Sequence, residues 1–128
     1  MPEINRSLII VKAKQPFLDW VHSLDPEDDS ELDDINNEPT AYLIPEYEMN
    51  DEQESIIDWC ATYVFEFELW SWCTDEDMWP TTRDAATFRE WFDVKFHSMV
   101  NDVVGDIPLK HIDYNEDEEG FDLGSNGH

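Results

Sequence analysis

The chain has 128 residues, which is enough for one domain with a single hydrophobic core. Hydrophobic residues make up 41% of the chain, which argues against disorder although the formal net charge is −25. A charge of this sign repels nucleic-acid phosphates and anionic membranes and attracts basic proteins, so direct nucleic-acid binding is the least favoured function.

The acidic residues are concentrated where cations are missing. No Lys or Arg occurs between Lys14 and Arg83, and residues 15–82 hold 20 of the 32 Asp and Glu residues. The same stretch is rich in Trp, Tyr, Phe, Leu and Ile, which predicts an aromatic core inside a negatively charged surface.

Several features predict a cytoplasmic protein. No apolar run reaches the ~20 residues of a membrane span, and the start of the chain does not have the pattern of a secretory signal. Cys60 and Cys73 do not form a multi-cysteine framework, so we expect reduced thiols.

The first elements alternate between strand and helix. An apolar, β-branched run at residues 7–11 predicts a buried strand. Pro16 then fits the first turn of a short amphipathic helix. Residues 25–38 follow as an acidic loop without a cation, and the spacing of Leu32 and Ile35 is compatible with one helical turn inside it.

A second strand and a long helix come next. The strand covers residues 40–44 and ends at Pro45, which cannot donate to a sheet ladder. Asn50 or Asp51 can then cap the helix. Its predicted buried face consists of residues spaced by three and four, namely Ile56, Trp59, Cys60, Tyr63, Val64, Phe67 and Trp70.

The region after the long helix predicts one more helix, capped by Thr81 or Thr82. Its second half is ambiguous, because the alternation of polar and apolar residues there also fits a strand. A strand would place Ser98 inside and Met99 outside, so we favour one helix that runs to about Val103.

These elements predict an α+β fold in the order β-α-β-α-α, with helices packed on a small two- or three-stranded sheet. Residues 107–112 are the candidate for the third strand, at an edge. If the first two strands are parallel neighbours, their crossover is right-handed. Residues 1–114 form the predicted domain, and residues 115–128 form a polar, acidic tail.

The sequence predicts neither a metal site nor a cofactor. The acidic loop has Ser30 and Asn36 where a calcium loop that begins at Asp25 needs its glycine and its bidentate glutamate. The four histidines and two cysteines do not have the spacing of a zinc site. The sequence also has no glycine-rich phosphate loop.

His97 is the weak candidate for a catalytic residue. On a helix it lies one turn after Asp93, so the two side chains could pair. A hydrolase that uses carboxylates with His97, with or without a divalent metal, is therefore one alternative function. Its test is whether His97 lines a pocket with a carboxylate in hydrogen-bond reach.

We predict instead a non-enzymatic interaction module that presents acidic surface to a basic protein partner and is able to act as a nucleic-acid charge mimic. Another alternative is that the charge has no specific partner and reflects adaptation to a salty cytoplasm. Exposed aromatic residues within an acidic field also suit a docking partner. The candidate binding residues are Asp28, Asp29, Asp33 and Asp34 in the acidic loop, then Glu66 and Glu68, and Trp72 and Trp79 around a turn.

Two motifs resemble a family of small, acidic, uncharacterised bacterial proteins. The first is PTAYLIPE at residues 39–46, and the second, at residues 79–100, combines WPxxR, FxxWFD and FHSMV. The resemblance covers residues 5–103. It implies a bacterial protein that is not secreted, and it implies no activity, cofactor or site residue.

Overall fold

The computed structural model describes residues 3–112. They fall into two compact units, Glu3–Val100 and a second unit to which residues 101–112 belong. The predicted boundary at residue 114 and the predicted tail at residues 115–128 lie outside the described residues. No helix in the described part of the chain is both long and apolar enough to cross a bilayer.

All regular elements lie within Glu3–Val100. In chain order they are β1 (Ser7–Ala13), α1 (Gln15–Leu24), α2 (Leu32–Ile35), β2 (Thr40–Ile44), α3 (Glu52–Trp70), a 3-10 turn (Glu76–Met78), α4 (Ala85–Trp91) and β3 (Phe92–His97). The predicted α+β fold, with helices packed on a small sheet, is confirmed.

The sheet has three strands in the order β2-β1-β3, and both pairs are antiparallel. β1 is central, with Ile9 opposite Tyr42 on one side and opposite Phe96 on the other. This position agrees with the apolar, β-branched sequence of β1. Because β1 and β2 run in opposite directions, the handedness rule for parallel crossovers does not apply to them.

An aromatic cluster joins the helices to the sheet. The rings of Phe17 from α1, Phe65 from α3 and Phe88 from α4 lie with their centroids 5.1, 5.3 and 5.1 Å from that of Phe92, the first residue of β3. All four rings are buried, and each removes roughly 150–250 Å² from water. This cluster fixes how α1, α3 and α4 pack against the strands.

The prediction that one helix continues from α4 to about Val103 is wrong. At Phe92 the backbone becomes extended, with φ −137° and ψ 148°, and β3 begins. A strand through residues 98 and 99 would have placed Ser98 inside. β3 ends at His97, before both residues, and Ser98 and Met99 are both exposed. Pairing with β3 satisfies one edge of β1 that a longer helix would leave open.

Two smaller predictions are also wrong. Residues 107–112 form no strand in the described part of the chain, and β3 supplies the third strand instead. Asp84, rather than Thr81 or Thr82, caps α4 by accepting the Thr87 N–H at 2.8 Å. The same hydrogen bond lowers the pKa of the Asp84 carboxyl.

The buried face of α3 differs from the prediction at its aromatic positions. Trp59 and Tyr63 are 71% and 76% exposed, and Phe67 is 37% exposed. Both faces of this helix carry apolar residues at helical spacing, so periodicity alone does not choose between them. The aromatic cluster of α4 and β3 decides the orientation. The residues that α3 buries are Ile56, Ile57, Cys60, Ala61, Val64, Phe65 and Leu69.

Candidate binding surface

The acidic loop, residues 25–38, is tied to the elements beside it near its end and in its middle. Asn36 Oδ1 accepts the Ala13 N–H at 2.8 Å, and Asn36 Nδ2 donates to the Ala13 carbonyl at 2.9 Å. A ring nitrogen of His22 in α1 lies 2.9 Å from the Ser30 carbonyl oxygen. The loop backbone is therefore attached to the end of β1 and to α1.

The helical turn predicted within this loop is confirmed as α2. At its start the Asp34 N–H donates to the Glu31 carbonyl at 2.9 Å, and Asp34 Oδ2 accepts the Glu31 N–H at 2.8 Å. Leu32 and Ile35 are half-buried, and Ile35 packs against the core. Asp33 and Asp34 are exposed as a result.

The other two predicted carboxylates of the loop precede α2. Asp28 accepts the Ser30 N–H at 2.7 Å, and hydrogen bonding to Ser30 lowers the pKa of Asp28. Asp29 is exposed. Among residues 3–112, no Lys or Arg forms an ion pair with a carboxylate of this loop.

A cavity of about 190 Å³ lies between the end of the acidic loop and the C-terminal end of α3. Glu38 lines it from the loop, and Glu68, Ser71 and Trp72 line it from the helix side. Trp72 is 43% exposed. The cavity therefore brings two predicted binding residues, Glu68 and Trp72, next to the acidic loop.

Glu68 is half-buried, as Asp28 and Glu66 are, and it lines the cavity. The Tyr42 hydroxyl of β2 donates a hydrogen bond to Glu68 Oε2. Burial raises the pKa of Glu68, although this hydrogen bond acts in the opposite direction. Burial and the nearby Glu68 charge also raise the pKa of Tyr42.

Glu66 and Trp79 belong to a separate cluster around Arg83. Arg83 Nε donates to Glu66 Oε2 at 3.0 Å, and the guanidinium lies 5.6 Å from the centroid of the Trp79 ring. The Trp79 indole N–H donates to the Cys73 carbonyl at 2.8 Å. The charge of Glu66 is thus neutralised locally, and half-buried Trp79 has a structural role.

The expected pairing of His97 with Asp93 is wrong, because both residues lie on strand β3 rather than on a helix. Four residues of extended strand separate them by about 13 Å, which is far beyond hydrogen-bond reach. Within residues 3–112 the His97 ring makes no hydrogen bond, and no group of three His, Cys, Asp or Glu side chains is arranged to hold a metal. The hydrolase alternative has no geometric support in this part of the chain.

Both cysteines are free thiols, and Cys60 is buried in the core as predicted. Burial raises the pKa of the Cys60 thiol, which makes it a poor nucleophile. Cys73 is half-buried beside the 3-10 turn.

Sequence reasoning missed three side chains of this surface: Asn36, Glu38 and Tyr42. The composition of the loop gives no signal that separates Asn36 or Glu38 from its neighbours. Tyr42 acts on a residue 26 positions away, so its role depends on how β2 and α3 pack.

Comparison with protein families, with curated proteins and with solved structures gives no match to this chain. The resemblance of residues 5–103 to acidic bacterial proteins therefore stays a prediction. The interpretation of the surface rests on its geometry and charge.

Proposed function

We propose that this protein is a non-enzymatic interaction module whose acidic loop binds a basic protein. Four carboxylates carry the proposal: Asp28, Asp29, Asp33 and Asp34 have no Lys or Arg partner among residues 3–112. They stand on a backbone that is hydrogen-bonded to its surroundings. A surface that is already ordered loses less conformational entropy when it binds.

The cavity beside the loop supports the same function. Glu38 and Glu68 supply carboxylate groups, and Trp72 supplies an aromatic ring. Carboxylates and aromatic faces are the groups that attract an ammonium or guanidinium ion. A Lys or Arg side chain of the partner therefore suits this position at the edge of the loop.

The charge of the whole chain affects the rate of binding. A net charge of −25 attracts a basic protein over several ångströms and accelerates its encounter, and salt weakens this attraction. A partner that normally binds nucleic acid would meet a comparable density of negative charge here. The protein would then compete with nucleic acid for that partner.

We also propose a cytoplasmic location in a bacterium. Two unpaired cysteines suit a reducing compartment, and the sequence resemblance points to bacterial proteins that are not secreted.

The proposal is tested by affinity capture from a bacterial lysate at about 0.05 M and about 0.3 M salt, with the purified protein as bait. The bait is compared with a variant in which Asp28, Asp29, Asp33 and Asp34 are all replaced by Asn. Asparagine keeps a side-chain oxygen that can accept the loop hydrogen bonds, so this change removes charge with little change in shape. A basic protein recovered at low salt should be lost with the variant.

A matched control removes the same amount of charge elsewhere, through Glu46→Gln, Glu76→Gln, Asp77→Asn and Glu90→Gln at exposed positions. The control bait should retain the partner. Recovery of no basic protein at low salt would contradict the proposal and leave salt adaptation as the explanation of the charge. Equal losses with both variants would show that total charge matters and the loop does not.

A further inference from the structure

Helix α3 carries three exposed aromatic residues on one face, at positions i, i+4 and i+8. Trp59, Tyr63 and Phe67, here called the aromatic stripe, extend over about 12 Å of helix. Neither the Trp59 nor the Tyr63 ring stacks on another ring within residues 3–112. Single exposed apolar residues are ordinary, but an ordered row of large aromatic rings marks an interaction site.

The C-terminal end of the stripe adjoins the cavity beside the acidic loop. The ring of Phe67 meets the edge of the Tyr42 ring at a centroid distance of 6.1 Å, and the Tyr42 hydroxyl binds Glu68. Glu68 in turn lines the cavity together with Glu38 of the loop. Apolar surface and negative charge are thus neighbours within one compact unit.

Charge decides which kind of molecule can cover the stripe. Helix α3 has no Lys or Arg, and of its acidic residues only Glu54, Asp58 and Glu66 have an arginine partner among residues 3–112. A nucleic-acid strand could stack its bases on the rings, but the phosphates would be repelled. Anionic membranes and a second copy of this chain would be repelled for the same reason.

We propose that the aromatic stripe is the docking surface for a basic amphipathic helix of the partner protein. Apolar side chains of that helix, spaced by three and four residues, would pack on Trp59, Tyr63 and Phe67. Its Lys and Arg side chains would face the acidic loop and the open faces of the rings. Arg83 over Trp79 already shows such a cation–aromatic contact within this protein.

This inference rests on the proposed function and adds the docking surface and the form of the partner. Its test is calorimetric titration of the whole protein with two synthetic peptides of leucine and lysine that have the same composition. One peptide has helical amphipathic spacing and the other has a scrambled order. The amphipathic peptide should bind at least about tenfold more tightly at low salt.

Two variants locate the effect. Trp59→Ser with Tyr63→Ser removes exposed rings only, so the fold should persist, and the advantage of the amphipathic peptide should disappear. Met49→Ser with Met99→Ser removes two other exposed apolar side chains and should leave the advantage intact. Perturbed amide resonances along α3 in the presence of the amphipathic peptide give an independent reading of the same contact.

The outcomes separate this inference from the proposed function. If both peptides bind equally and only the Asn variant of the acidic loop weakens them, the function stands and the stripe is not the docking surface. If neither peptide binds at low salt, both the inference and the proposed function are contradicted. A dimer that dissociates on Trp59→Ser with Tyr63→Ser, or binding of oligothymidylate to the stripe, would also overturn the inference.

Discussion

Asn36 shows how one side chain can position a whole surface. Its carboxamide bonds to the backbone of Ala13 as a neighbouring strand would. The Asn36 oxygen accepts the Ala13 N–H, and the Asn36 nitrogen donates to the Ala13 carbonyl. The end of the acidic loop is held beside β1 by these two bonds. A loop with so many like charges needs this attachment, because mutual repulsion favours an expanded chain.

We expect Asn36→Ala to lower the free energy of unfolding by about 1–3 kcal/mol, because two hydrogen bonds are lost and the backbone groups of Ala13 lose their partners. Urea denaturation measures this change. Asn37→Ala is the matched control, because Asn37 is exposed and its side chain makes no hydrogen bond within residues 3–112. Equal stability of the two variants would show that Asn36 does not hold the loop.

Glu68 makes the folded protein less stable as the pH rises, whereas a salt-bridged carboxylate makes it more stable. Its pKa in the folded protein is raised above the ordinary value of 4.5, mainly by burial, so the folded state holds this proton more tightly than the unfolded state. As pH rises from the ordinary pKa through the raised one, the folded state loses stability. Above the raised pKa the loss is complete and constant.

Glu68→Gln removes this titration and keeps an oxygen that can accept the hydrogen bond from the Tyr42 hydroxyl. We expect the variant to gain stability relative to the original protein at about pH 8, with a gain that shrinks as the pH falls towards about 5. Denaturation curves at several pH values measure it. Glu90→Gln changes the net charge equally at an exposed position, so a gain of the same size and pH dependence there would exclude the burial of Glu68 as the cause.

At the scale of elements, the boundary between α4 and β3 is the most informative part of the chain. The residues from Phe92 onwards fit a helical stripe and a strand alternation almost equally well. Local sequence therefore does not decide between the two, and pairing with β1 does. Phe92 contributes to both elements, because its ring packs against Phe17, Phe65 and Phe88 while its backbone turns into the strand.

Lys95 offers a test of this boundary, because it is exposed in the middle of β3. Lys95→Thr should be more stable than Lys95→Ala by about 0.5–1 kcal/mol, since β-branched residues favour strands. In a helix the order would be reversed by about 0.5 kcal/mol. Both variants lose the same charge, so chemical denaturation compares conformational preference directly, and a more stable Ala variant would contradict the strand.

Both the acidic loop and the stripe of α3 depend on element packing. The sequence predicted which loop is acidic, that Leu32 and Ile35 form a turn in it, and that α3 is a long helix. It did not predict that Trp59 and Tyr63 face outwards. The reason is that burial of Phe65 gives α3 its contacts with the aromatic rings of α4 and β3, which are more than 20 residues away in the chain.

For the whole molecule, charge is the dominant property. With 32 acidic and 7 basic residues, electrostatic repulsion opposes the compact state, and only three ion pairs relieve it among residues 3–112. We expect the free energy of unfolding to rise by about 1 kcal/mol or more between about 0.02 M and 0.3 M sodium chloride, because salt screens this repulsion. Thermal denaturation across that range measures the rise.

The fourfold Asn variant of the acidic loop should show a smaller dependence on salt, since it removes four like charges that lie close together. The fourfold control at Glu46, Glu76, Asp77 and Glu90 should show a weaker reduction, because only Glu76 and Asp77 are neighbours there, whereas all four loop charges lie within seven residues. Stability that does not change with salt in the original protein would show that the acidic groups do not repel one another appreciably in the folded state.

The sequence by itself determined the properties that depend on composition and local pattern: the negative field, the aromatic core, the buried first strand and the α+β class. These follow because charge adds along the chain, and because short apolar runs need burial wherever they lie. Tertiary structure alone decided that residues 92–97 pair as a strand, which face of α3 is exposed, and that Glu68 and Trp72 line a cavity together with the acidic loop. Each of these depends on contacts between residues far apart in the chain, where local preferences are nearly balanced and packing energy selects the outcome.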